Sequence, residues 1–398
     1  MPKFSWSPIV LVIAACGAET GLPESATSVD SAGISVVTNS LDMREVPSRA
    51  IQTSPILEIR SDPQGKRVLY QVTAVTPLPN GNIAVGTDGS KQIHVFGQDG
   101  SYMFSFGRSG DGPGEFSRIE SVVPFPGDSI AVYDPRKKVI AVFDGSGMLG
   151  RTLSLSELAP AQAWSKVLPI QGDFVLIGFS GLGGQTREGV FRNTEASYRF
   201  DGEGSVLTDY GEFPGVEAFA GERMIGARIF GASLSAATSR DRLVIGVGEG
   251  PELKYFDTDG ELTQIVRWPD HDREVTPADI SRFIEENLAE VPEPQRPMAR
   301  QQMESLPFAL TQPAYQDLLT GQDGEVWVGN YPFPEPAFLD SPGPSRTWTA
   351  IGPDGDFRYR VETPAGFRVS AVHGSRVYGV FVDEMGIESV RVYALSDS

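Results

Sequence analysis

One turn recurs along this chain and constrains its fold more than any other feature. An aromatic or aliphatic residue closes an apolar run, and a short polar stretch ending in Gly follows. It reads FGQDG at 96–100, FDGSG at 143–147, FDGEG at 200–204, FDTDG at 256–260 and IGPDG at 351–355. A hairpin turn repeated at wide intervals is the signature of an all-β repeat protein.

The intervals between the leading residues Phe96, Phe143, Phe200, Phe256 and Ile351 are 47, 57, 56 and 95 positions. The first three each suit one four-stranded blade, and the last is long enough to require an insertion. Ahead of each turn lies a second hairpin signal, two apolar runs split by Pro or Gly: VTPLPNGNIAV at 75–85, VVPFPGDSIAV at 122–132, VLPIQGDFVLI at 167–177 and LLTGQDGEVWV at 318–328. Weaker copies start at Leu234 and Val369. Two hairpins per unit and six units predict an all-β, six-bladed propeller. Both parities of the strands are apolar, as in Val139, Ala141 and Phe143 against Ile140 and Val142, which suits sheets stacked between neighbours.

Register predicts how the ring closes. Phe106 and Ile119 stand 13 positions apart across a blade junction, and Ile59 and Val72 repeat that spacing upstream. Residues 55–60 are therefore expected to be an orphan outer strand, with Leu57 and Ile59 pairing onto blade six to remove an exposed edge. Gly at 44 and Pro at 30 of 398 residues, with 40% hydrophobic content, fit one large turn-rich β domain. A formal charge of −19 argues against nonspecific nucleic-acid binding.

The N-terminus reads Met1, Pro2, Lys3, an apolar stretch from Phe4 to Ala15, then Cys16. That stretch is too short to span a bilayer and suits a signal-peptide core. Residues 13–17, IAACG, resemble a bacterial lipobox, which implies lipidation at Cys16, a lipid anchor as the only membrane contact, and a place in the bacterial cell envelope. The expected organisation is a signal segment over 1–16, a flexible tether over 17–33 and the propeller over 34–398. Cys16 is the only cysteine, so no internal disulfide can form.

Between Trp268 and Pro313 the strand pattern stops. Thr276, Pro277 and Asp279 form a helix start, and Ile280, Phe283, Ile284 and Leu288 share one face. A second helix is expected over Met298–Leu306, within an insertion at about 270–308 between blades four and five. In a propeller, blade-to-blade crossings and second-to-third strand loops share one face, here called the top, and the tight turns lie on the other. The insertion is thereby expected beside the top mouth of the channel.

GRSGDGPGEF at 107–116 lacks the following helix that a phosphate loop requires, and its glycines read as a blade crossing. Gly112 to Phe116, an apolar inner strand and the later Asp134 resemble NHL-type repeats. With the C-terminal DEMGIESVRVYAL, the insertion and the lipobox, the chain resembles bacterial envelope six-bladed β-propellers, a likeness that implies fold and little about activity. Asp88 and Asp134 read as structural caps of strand ends.

Enzymatic propellers make testable demands. A zinc lyase needs converging histidines, and His94, His271 and His373 fall on separate elements. A calcium-dependent lactonase-like site needs oxygen ligands at inner-strand ends, where Glu120 and Asp317 are the candidates beside Arg118, Lys166, Arg228, Tyr315 and Arg368. Basic residues match those acids, so a salt-bridged channel is expected, with these seven residues as the candidate channel lining. The leading expectation is a module binding a protein or small molecule on its top face, without a cofactor. The alternative is a calcium-type hydrolase or lyase in the channel.

Overall fold

Six sheets follow one another in the computed structural model, which describes residues 26–62, 64–65, 67–156, 163–179, 188–221, 225–289, 291–332 and 343–396. Blade one runs from an inner strand at Val72–Pro77 through Ile83–Thr87 and Gln92–Phe96 to an outer strand at Tyr102–Phe106. The next inner strands are Ser121–Phe125, Ala163–Ile170, Ser235–Ser239, Asp317–Thr320 and Phe367–His373. Each inner strand touches the next, and the sixth touches the first, so the six sheets form a closed six-bladed propeller. Side chains stitch this inner ring: Thr76 Oγ1 donates to the Val122 carbonyl, Lys166 Nζ to that of Ala236, and Arg368 Nη2 to that of Val72.

The ring closes at the register expected from the spacing. Leu57–Ile59 is the fourth strand of blade six, with Ile59 opposite Val390 and Leu57 opposite Val392. Ile59 is buried and shares a core cluster with Val85, Phe96, Val380 and Val392, so the closing strand is held by packing as well as by its ladder.

The recurring turn does two things. Its final Gly takes a left-handed backbone, with φ of 79° at Gly100 and 93° at Gly355, and the residue that leads the turn sits at a register shift in every copy. The Asp144 carboxylate accepts the backbone N–H groups of Ser146 and Met148, and Asp201 and Asp257 repeat the pattern. Each turn then packs on the outer strand of the preceding blade. A Cβ on Gly100 would come within 2.7 Å of Leu57 Cδ1, so the glycine answers both a torsion and a close approach.

The tether departs from expectation. Residues 26–31 are a strand paired antiparallel to Ile34–Asn39, which in turn runs parallel to Leu262–Arg267 and extends blade four to six strands. Its sequence, ATSVDS, lacks apolar periodicity because five of its six residues face solvent. The next strand supplies the anchor. Val37 enters the core with Val266 and Ile351, and buried Asn39 donates to the Gly355 carbonyl at 2.9 Å and accepts the Phe357 N–H at 3.0 Å. Cys16 and residues 17–25 lie outside the described residues.

The insertion forms α1 (Pro277–Ala289) and α2 (Arg296–Glu304). Thr276 caps α1 reciprocally: its hydroxyl accepts the Asp279 N–H, and the Asp279 carboxylate accepts the Thr276 N–H. Phe283, Ile284 and Leu288 pack with Phe230 and Ala309 as a small satellite core. α2 starts two residues earlier than expected, since Pro297 is tolerated in a first turn, where its missing N–H costs nothing.

Candidate functional site

Three of the expected channel residues meet. Arg118, Glu120 and Arg368 line one cavity of about 390 Å³ at the top mouth, bounded by blades six, one and two. Arg118 Nε lies 2.8 Å from Glu120 Oε2. Arg368 and Glu388 clamp the first residue of blade one, the guanidinium on the Val72 carbonyl and the carboxylate on its N–H. Asp88, also on this wall, accepts the Ile119 N–H and the Lys91 ammonium. Asp88 is thus a cap, as is Asp134, which accepts backbone N–H groups of Ser117, Arg118, Arg136 and Lys137.

Lys166 and Asp317 do not line this cavity. Burial pushes the Lys166 ammonium pKa down, with Asp317 and Glu195 acting the other way, and burial raises that of Glu195. Asp317 pairs with Arg346 at 2.5 Å. Glu120 and Asp317 are thus each matched to an arginine, and only Glu120 lines the cavity. A hard cation asks for six to eight oxygen ligands, and this donor set does not fit one. Among the described residues no group of three or more His, Cys, Asp or Glu is placed to hold a metal ion. His94, His271 and His373 lie on different elements, His94 buried in blade one.

Two expected channel residues are corrected. Tyr315 is buried in the core between blades four and five, its ring against Trp268 and its hydroxyl on the Glu252 carbonyl. Arg228 pairs with Glu217 and donates to the Phe308 carbonyl, so it fastens the insertion to the blade three crossing. The Lys137 ammonium donates to the carbonyls of Asp111, Gly112 and Glu115, which fixes the glycine-rich crossing.

A second top-face cavity, of about 380 Å³, lies at the root of the insertion. Trp268 and His271 come from the lead-in to the helices, Pro313 from the exit, Asn330 and Thr349 from blade five, and Met43 from the segment after the N-terminal hairpin. The N-terminal extension and the helical insertion therefore reach the same cavity. Arg273, only 7% exposed, holds its floor through Asp270, the Gln312 carbonyl and the Glu249 carbonyl. His271 Nδ1 stands 3.2 Å from Asp42 Oδ2. Burial opposes the Asp42 charge, but hydrogen bonds from the Arg44 side chain and backbone hold its pKa below the usual carboxylate range.

None of these residues was a sequence-based candidate. The available signal was the interrupted repeat after Phe256, and nothing linear joins it to the N-terminal segment. The opposite mouth is different in kind: its cavity, about 420 Å³, is rimmed by Pro79, Pro124, Pro126 and Pro169 at the inner-hairpin ends.

The comparisons agree on architecture. Residues 72–161, blades one and two, match the DUF5128 family model, described as a 6-bladed beta-propeller. No curated protein matches the chain. A solved member of the DUF4221 family from Bacteroides vulgatus is similar over 87% of this chain and 98% of its own, at 10% identity and a TM-score of 0.52, a likeness of fold alone. Looser similarity extends to the virginiamycin B lyase of Staphylococcus aureus, at 11% identity, 85% and 99% coverage and a TM-score of 0.43. A gluconolactonase from Xanthomonas campestris stands at 8%, 88% and 98%, with the same TM-score. Neither enzyme's activity transfers at that distance.

Proposed function

We propose that this chain is a lipid-anchored propeller of the bacterial envelope that binds a small molecule or a protein through its top face. One observation carries the reading: the N-terminal extension and the helical insertion, which separately extend and break the repeat, converge with blade five on a single top-face cavity. Connections on a rigid scaffold are where binding groups concentrate. The charged groups of the channel favour binding over metal chemistry, since they are spent on one another and on backbone groups. The lipobox resemblance supports the anchor at Cys16.

Crosslinking in intact envelopes tests it, comparing the wild type with a chain whose residues 277–304 are replaced by a short Gly-Ser linker. The crosslinked species should disappear in the variant while the propeller still melts cooperatively. An unchanged species would count against the insertion side of the top face. Cys16→Ser should move the protein from the membrane to the soluble fraction, and a membrane-bound variant would contradict the anchor.

A further inference from the structure

The insertion-root cavity carries a more specific reading. Along Arg346–Ile351, Trp348 and Ala350 face blade six, while Ile351 joins the core shared with blade four. Thr347 and Thr349 have the parity of Ile351, so their side chains point into the seam between blades four and five, where the cavity opens. Thr349 is 0% exposed, and among the described residues its hydroxyl has no hydrogen-bond partner. A buried hydroxyl is rarely left so, because an unmade hydrogen bond costs its full desolvation.

The other groups define what could satisfy it. Asn330 spends its side-chain carbonyl on the Thr347 N–H, which leaves its amide as donor. His271 has its Nδ1 on Asp42. The guanidiniums are engaged: Arg44 on Asp42, Arg273 on Asp270, and Arg360 on the Arg44 carbonyl and Ser48. Asp272 and Glu274 are exposed at the rim. Acids outnumber arginines on the wall, which disfavours an anion, and the innermost groups are neutral hydroxyls and amides beside Trp268 and Tyr331. A volume of about 380 Å³ falls within the usual range of small-ligand sites.

We infer that this cavity binds a small neutral saccharide, with the Thr349 hydroxyl and the Asn330 amide meeting sugar hydroxyls and Trp268 and Tyr331 forming the apolar wall. The inference rests on the top face being the binding face. Isothermal titration of the detergent-solubilised full-length protein tests it, using N-acetylglucosamine, galactose, glucuronate and spermidine as probes.

A neutral sugar should bind, Thr349→Val should weaken it by about tenfold, the cost of one lost hydrogen bond, and Thr349→Ser should retain it. Thr349→Val removes an unsatisfied group, so its melting temperature should not fall, which separates a lost contact from a lost fold. Binding of glucuronate or spermidine alone, weakened by Thr349→Val, would overturn the neutral-sugar assignment and leave top-face binding standing. No binding, or sugar binding indifferent to Thr349→Val, would overturn the site.

Discussion

His94 allows a stability prediction with a worked magnitude. It sits in the third strand of blade one, 2% exposed, between Ile93 and Val95, and neither ring nitrogen has a hydrogen-bond partner among the described residues. Burial, with Arg67 nearby adding repulsion, pushes its pKa down from 6.5 to about 4. The fold thus favours the neutral imidazole. The stability this represents is fully present above the unfolded pKa near 6.5 and is lost as pH falls from there toward 4. That difference corresponds to about 3 kcal/mol.

The perturbation is His94→Leu, read by urea unfolding of both proteins at pH 7.5, 6 and 4. Carboxylates titrate in both, so the difference between the two isolates the histidine. The variant should match or exceed the wild type at pH 7.5, because it removes two unsatisfied buried nitrogens. Its advantage should grow by about 3 kcal/mol by pH 4. Parallel profiles across this range would refute the reasoning, since they would mean that the site accommodates the charged ring without cost.

Other consequences follow from the same structure. Deleting residues through 62 removes the strand that carries Leu57 and Ile59, so the remaining ring should lose cooperative thermal unfolding, and a normal melt would contradict the closure. Asn39→Ala leaves the buried Phe357 N–H and Gly355 carbonyl without their partner, at a cost of about 2–3 kcal/mol in chemical denaturation, and a loss below about 0.5 kcal/mol would mean that the N-terminal hairpin is not docked as described. Arg228→Ala should speed proteolysis within residues 293–306 while leaving global melting little changed, and unaltered cleavage would deny the clamp.

What was legible in the sequence was whatever is local. The Phe-to-Gly turn announces itself because a left-handed glycine and an Asp carboxylate on nearby N–H groups are needed within a few residues. The capping of α1 by Thr276 is local in the same way. Ring closure was legible at long range only because the 13-residue spacing repeats. Tyr315 and Arg228 were misread because their surroundings come from partners far along the chain, Glu252 for the tyrosine and Phe308 for the arginine. The hairpin strand at 26–31 gave no signal, as hydrogen bonds to the next strand hold it and almost none of its side chains are buried. The insertion-root cavity needed three remote segments brought together, which periodicity cannot show.

Site-specific photocrosslinking in intact envelopes tests the central claim most directly, with one probe at Arg44 beside the insertion-root cavity and another at Ser146 in a tight turn of the opposite face. The top-face account predicts a discrete adduct from position 44, competed away by excess unlabelled protein, and none from position 146. An adduct from position 146 alone, or equal adducts from both, would contradict it.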